Sequence, residues 1–346
     1  MKRAKVFIPV KGKGSCFDSF IEFLFGQDYP NYSIVFAVES EDDPAFHPLV
    51  ETGAEVVVAG PAMNQSQKVQ NQLAAFSKLQ PDDEIIVLAD ADIVGPSSWL
   101  RHLLSPINAG LSEVTTGFRW LVPTSVSLPS AIASLVNSAS LIFSGPSKRS
   151  WMWGGSMALS RQAFDEIGMP GLLEGSFNDD LQISNRVRAT RQPFRFVRTV
   201  ILPTPIDYNW ERMWEFGRRQ VMQARIYAAK ALWAPILAVN LLLVIGFIAC
   251  WVRFLSGDWV ALFPLILVAI LNQLRASERA VTANELFDEA MMAKLRPTLR
   301  LGRLLTMVST FFHTLVLLAS VFGQTLGWSG IFYRIRGPQE VEVMPK

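Results

Sequence analysis

The feature that most constrains this 346-residue chain is a change of solvent regime near residue 230. Residues 232–252 form a run of 21 positions without a charge, enough for about 30 Å of helix, the thickness of a bilayer core. A second uncharged run, 259–274, has 16 positions, and a third, 304–328, has 25. Basic residues frame them unevenly. Arg218, Arg219, Arg225 and Lys230 precede the first run, and Arg275, Arg279, Lys294, Arg296, Arg300 and Arg303 follow the second. Only Arg253 lies between the first two. By the positive-inside rule, the N-terminal part and the 275–303 loop face the cytosol. Three spans would then put the tail outside, although it carries Arg334 and Arg336, so the parity of crossings stays open. The expected organisation is a domain over 1–210, a basic, aromatic, interfacial helix over 211–230, a membrane region over 231–328 and a tail over 329–346.

Other bulk properties exclude classes. A net charge of +2, with no basic stripe interleaved with aromatics, argues against a nucleic-acid partner. Cys16 and Cys250 are too few and too far apart for a disulfide framework or a cysteine metal cluster. His47, His102 and His313 are scattered, which disfavours a histidine zinc site. The apolar run at 6–10 is too short for a signal-peptide core, so the first domain is expected to remain cytosolic.

Residues 1 to about 200 alternate short apolar runs with polar, helix-like stretches. Runs at 6–10, 33–38, 55–59 and 85–89 read as buried strands, and 66–79 has helical periodicity. That alternation predicts an open α/β sheet covered on both faces, with ligands gathered beyond the carboxyl ends of its strands.

Several clusters fall at such ends. Asp90-Ala91-Asp92 closes the 85–89 strand, and carboxylates two residues apart there share a face. Mg²⁺-type ions accept one or two carboxylates and fill their shell with phosphate and water oxygens. Asp-x-Asp is by itself a weak signal that more often marks a solvated turn, and its place at the end of a clean apolar strand favours the metal reading. Asp179 and Asp180 open a helix-like stretch, where acidic residues suit the helix dipole and where a carboxylate could also serve as a general base. Glu39, Glu41 and their acidic neighbours follow the 33–38 strand; they are either a turn with Pro44 or contacts for ribose. Lys68 and Asn71 sit on the 66–79 helix. Trp153-Gly154-Gly155 offers close backbone approach to a ligand, or simply a turn. Arg218 and Arg219 could reach phosphate oxygens.

Taken in order, these blocks resemble the inverting GT-A glycosyltransferases, most closely the ceramide glucosyltransferase family, over roughly residues 5 to 230. The resemblance rests on Glu41-Asp-Asp-Pro-Ala45, Lys68-Val69 with Asn71, Asp90-x-Asp92-Ile93, Gly155-Ser-Met with Arg161, and Asp179-Asp180. It implies a Rossmann-like GT-A nucleotide-sugar domain followed by transmembrane helices. It further implies a UDP-sugar donor, most often UDP-glucose, and a lipid acceptor such as ceramide. Pro9, Glu39 or Glu41, Lys68, Asn71, Asp90 and Arg219 would line the donor site. Asp92 and Asp90 would hold Mg²⁺ or Mn²⁺, Asp180 would be the catalytic base and Asp179 its neighbour. Trp153, Gly154, Gly155 and Gln223 are the acceptor-side candidates. The family's (Gln/Arg)-x-x-Arg-Trp motif is altered here to Arg219-Gln-Val-Met-Gln223, where the acceptor would be read. A processive polysaccharide synthase and a polyprenyl-phosphate glycosyltransferase are the enzymatic alternatives. A membrane scaffold with a decayed nucleotide-sugar site is the non-enzymatic one.

Overall fold

The computed structural model describes residues 1–14, 16–145, 151–227 and 230–345. They form two compact units. The first comprises Met1–Arg119, Leu141–Thr204 and Gln324–Lys346, and the second Trp120–Ser140 and Pro205–Gly323.

The first unit holds most of a seven-stranded sheet, with only the last residues of its fifth and seventh strands belonging to the second unit. Its strands are β1 (Ala4–Pro9), β2 (Tyr32–Val38), β3 (Glu55–Val58), β4 (Ile85–Ala89), β5 (Val114–Pro123), β6 (Ser156–Ser160) and β7 (Phe194–Ile206). The order is β3-β2-β1-β4-β6-β5-β7. The first four strands run parallel, and β6 runs antiparallel to both β4 and β5. The four strands expected from sequence all form, within two residues of their expected bounds. β4 is buried along its whole length because it lies between β1 and β6, which explains its unbroken apolar run.

Side-chain alternation divides the sheet into two faces. Ala4, Val6 and Ile8 of β1, with Ile85, Val87 and Ala89 of β4, pack in one core with α1 (Phe17–Phe25) and α4 (Trp99–Asn108). Phe7, Ile86 and Leu88 point the other way, into a core shared with α3 (Gln67–Phe76), α6 (Arg161–Glu166) and α7 (Asp180–Ala189). Asp90 continues the parity of Ile86 and Leu88, and so falls on the α3 face. Ser66 caps α3 by accepting from the Val69 amide (3.3 Å), which fixes where Lys68 and Gln72 stand on the helix.

A three-stranded antiparallel sheet at the chain's end also belongs to this unit: β8 (Thr325–Trp328), β9 (Ile331–Gly337) and β10 (Glu340–Val343), in the order β10-β9-β8. The expected third apolar run therefore breaks in two, because its last four residues form β8.

The second unit is helical: α5 (Leu128–Ala139), α8 (Trp210–Tyr227), α9 (Lys230–Leu255), α10 (Leu262–Leu286) and α11 (Glu289–Val321). Helix α8 covers most of the expected interfacial stretch; residues 228 and 229 of that stretch lie outside the described residues. Gly217 on α8 lets Phe312 and Val316 of α11 approach closely. Among the described residues, two helical segments, Trp233–Leu255 and Trp259–Leu286, are long and apolar enough to cross a membrane. A third is available only if the bent pair Glu289–Leu305 and Met307–Val321 counts as one span.

Candidate active site

The carboxyl end of β4, the start of α7 and the middle of α3 converge. The Lys68 ammonium lies 2.8 Å from Asp90 Oδ1 and 3.0 Å from Asp179 Oδ2. Gln72, one turn along α3, donates to the same Asp179 oxygen at 2.7 Å. The Asp179 side chain is only 3% exposed, so its charge depends on these two partners. Burial works against its ionisation, but Lys68 and the Gln72 hydrogen bond outweigh it and hold the carboxyl below the usual range. Burial likewise pulls the Lys68 ammonium down, and the carboxylates of Asp179, Asp90 and Asp180 more than reverse that.

Asp180 is treated differently by the fold. Its Oδ2 accepts from the Gly154 amide at 3.2 Å, and it is only partly buried. Desolvation, then the adjacent Asp179 charge, push its pKa up to about 6. Two neighbouring carboxylates thus carry separate protonation behaviour, set by different surroundings. Asn178 caps α7 by accepting from the Leu181 amide (2.7 Å), and Ser184 donates to the Asp180 carbonyl (2.6 Å). Both contacts fix the direction in which the pair projects.

Trp153-Gly154-Gly155 forms the floor beneath these carboxylates. A Cβ on Gly154 would stand 2.8 Å from Asp179 Oδ2, and one on Gly155 would stand 2.8 Å from Asp90 Oδ2 and run into the Trp153 ring. Neither carboxylate could keep its place over a larger residue, which is a physical reason for the glycine pair. Trp153 is itself held by its amide, which donates to Thr116 Oγ1 at 3.0 Å.

Asp92 points outward with half its side chain exposed, and the Arg119 guanidinium is 3.8 Å away. Among the described residues no group of three or more His, Cys, Asp or Glu side chains gathers into a metal cage. A hard divalent ion that takes most of its ligands from phosphate and water does not need one. The open Asp92 carboxylate beside Asp90 is the donor set such an ion accepts.

Of the other expected donor residues, Pro9, Glu39 and Glu41 lie at or just past the ends of β1 and β2. Pro9 closes β1 opposite Ala37. Glu39 follows β2 and pairs with Lys11 at 2.9 Å, while Glu41 is exposed in the next turn. Asn71 is buried, and its side-chain amide donates to the Val10 and Ala37 carbonyls (3.2 and 3.0 Å). It shapes the loop from within. Arg219 and Gln223 belong to the second unit, where Arg219 lies over the Phe216 ring and Gln223 is buried.

Sequence reasoning missed three contributors. Gln72 could have been found as the i+4 partner of Lys68 on one helix face. Arg119 has no local motif and is brought to Asp92 only by sheet pairing. The third is the terminal sheet: Phe177, two residues before Asp179, packs on Trp328 and Tyr333, with ring centroids 5.5 and 5.1 Å away. Tyr333 Oη also accepts from the Gln67 amide at the start of α3 (3.3 Å). Gln339 Nε2 donates to the Leu172 and Glu174 carbonyls at 3.2 and 2.9 Å. The segment 171–180 is thus braced from the far end of the chain.

The family model of glycosyl transferase family 21 matches residues 5–340. None of the curated proteins matches the chain. Among solved structures, a mannosyltransferase from Pyrobaculum calidifontis, in complex with GDP-Man and Mn²⁺, is similar in fold. It shares 12% identity over 92% of this chain and 87% of its own, with a TM-score of 0.50. Glucosyl-3-phosphoglycerate synthase from Mycobacterium tuberculosis, in complex with phosphoglyceric acid, aligns over 65% of this chain and 79% of its own. It shows 13% identity and a TM-score of 0.44.

Proposed function

From the premise that the chain belongs to glycosyl transferase family 21 and carries a GT-A domain, we propose that it transfers a sugar to a membrane lipid. The donor is a UDP-sugar, in the first place UDP-glucose. The acceptor is a lipid hydroxyl, with ceramide or a related lipid the leading candidate. Apolar acceptor tails need not leave the bilayer if the enzyme works at its surface.

Asp180 takes the proton from the acceptor hydroxyl, whose oxygen attacks the anomeric carbon in line with the departing UDP. The configuration at that carbon inverts. Asp179 stays ionised against Lys68 and Gln72, and burial of Asp180, together with that neighbouring charge, raises the Asp180 carboxyl's proton affinity to a pKa of about 6. The Gly154 amide orients Asp180 towards the acceptor. Asp92 and Asp90 would hold Mg²⁺ or Mn²⁺, which when bound supplies positive charge for the diphosphate leaving group. Pro9 and Glu39 or Glu41 line the nucleotide side, with Asn71 shaping the loop behind them and Lys68 close to the phosphates. Trp153, Gly154 and Gly155 form the acceptor floor. The roles of Arg219 on the leaving group and Gln223 on the acceptor rest on the family resemblance alone.

The observation that carries this reading is the contrast between the two aspartates: one is locked against the Lys68 ammonium and Gln72, while the other, held by the Gly154 amide and the Asn178 side chain, has a raised pKa. The test is transfer of radiolabelled glucose from UDP-glucose into extractable lipid by membranes containing the protein, with Asp180→Asn as control. Labelled lipid with the wild type and background with Asp180→Asn is the expected result. Equal labelling by both would remove Asp180 from the reaction.

A further inference from the structure

We infer that the chain crosses the bilayer twice, through α9 and α10, that α11 does not cross, and that the tail returns to the side of the sheet domain. Residues 324–346 are integral to the first unit. Tyr333 and Ile335 are each 1% exposed, Tyr333 packs on Phe177, and the Val343 amide donates to the Met63 carbonyl at 3.2 Å. Gly175, with φ +74°, leaves room for the Gln339 carbonyl, which a Cβ there would meet at 2.5 Å. A folded unit lies on one side of a membrane. The polypeptide between Thr204 and Gln324 must therefore cross an even number of times.

Zero crossings is excluded by α9. No residue of its apolar stretch is fully buried in the protein, although Trp233, Ile236 and Leu237 pack partly on α8 and α11, and between Trp233 and Val252 the only polar side chain is Asn240. A helix lying in the interface needs a polar face, and α9 has none. Its partner α10 has a shorter uncharged run, ending before Arg275. The long stem of the exposed Arg275 makes up the difference by reaching to the interface. The turn joining the two helices has the composition of a far-side boundary. Trp251, Phe254 and Trp259 stack edge to face at 5.9 and 5.3 Å, and Arg253 pairs with Asp258 beside them.

Three crossings would require α11, and neither of its limbs suffices. The first, Glu289–Leu305, carries Glu289, Lys294, Arg296, Arg300 and Arg303. The second, Met307–Val321, is apolar but spans only about 22 Å at 1.5 Å per residue, short of a core of roughly 30 Å. It packs instead within its own unit, where Val316 and Leu317 are buried with Val221 of α8. Two crossings also place Arg334 and Arg336 with the other basic segments, which an odd count cannot do.

The test is side-specific cysteine labelling of the full chain in a Cys16→Ser, Cys250→Ser background, using a membrane-impermeant maleimide on intact spheroplasts and on inverted vesicles. Reporters are Glu51→Cys on the domain surface, Ser256→Cys at the helical turn, and Glu340→Cys in the tail, with Arg336→Cys as a second tail position. All four sites are exposed. Detergent-permeabilised samples give full labelling for each variant. Expected is at least fivefold labelling of Ser256→Cys over the other three in spheroplasts, and the reverse in inverted vesicles. Tail reporters labelling with Ser256→Cys would establish an odd count and overturn the inference. All reporters labelling from one side would overturn it by showing no crossing. The readout is independent of activity and stands apart from the proposed reaction.

Discussion

Replacing Lys68 by Met keeps the length of the side chain and removes the charge that two carboxylates depend on. Asp90 is 22% exposed and can recover solvation, but Asp179 is 3% exposed and cannot. Breaking a buried ion pair by deleting one partner costs about 3–5 kcal/mol. Asp179 can escape part of that by taking up a proton. At pH 7 the cost of protonating a carboxyl with an ordinary pKa near 4 is about 4 kcal/mol, at 1.36 kcal/mol per pH unit. The two routes agree, so the expected loss at pH 7 is roughly 4 kcal/mol. For a unit of about 200 residues that is a fall in Tm of roughly 8–16 °C. The sign of its pH dependence follows. In the variant Asp179 is protonated when folded and ionised when unfolded, so stability is retained at low pH and lost as pH rises. Between pH 5 and pH 7 the gap to the wild type should widen by about 2–3 kcal/mol. Thermal unfolding in mild detergent at both pH values measures this, with Lys68→Met/Asp179→Asn as the double variant that should recover most of the loss. A single variant as stable as the wild type at pH 7, or a double variant no better than the single, would refute the reasoning.

Three further outcomes follow from the same geometry. With Asp180 as base and its pKa at about 6, kcat/KM should rise with pH through an acidic limb near 6 and level off above it, as read from initial rates of sugar transfer. Asp180→Asn should lower kcat by roughly 10²–10⁴-fold while leaving the affinity for UDP, measured by calorimetry, within a few-fold. Gly154→Ala places a methyl 2.8 Å from Asp179 Oδ2, so turnover should fall at least tenfold, with no comparable loss for Gly246→Ala, where the added carbon meets nothing.

Much of the first unit could be read from residue patterns. Its inner parallel strands β1 and β4 are continuous apolar runs because each is covered on both faces, and β4 delivers Asp90 to the α3 side by alternation alone. The helix over 66–79 and the acidic start of α7 were legible for the same reason: they are local. What could not be read was what depends on distant pairing. Arg119 reaches Asp92 through sheet order, since β5 is separated from β4 by β6, and no spacing in the sequence encodes that. The tail looked like an appendage after a third span, whereas 325–328 pairs as a strand and Tyr333 packs on Phe177. Hydropathy describes the cost of each segment in water, not the contacts that decide which side it ends on. Asn71 shows the converse limit. Its position near the donor residues was foreseen, but only the hydrogen bonds to Val10 and Ala37 reveal that it acts by shaping the loop.

The central claim, that this chain builds a glycolipid with Asp180 as base, is tested most directly by mass spectrometry of total lipids. Cells producing the wild type or Asp180→Asn at equal levels, supplied with ceramide, provide the comparison. A hexosyl-lipid, about 162 Da heavier than its acceptor by the chemistry of hexose transfer, is expected at about a hundredfold excess with the wild type. Identical lipid profiles from both, in cells whose membranes contain the protein, would contradict it.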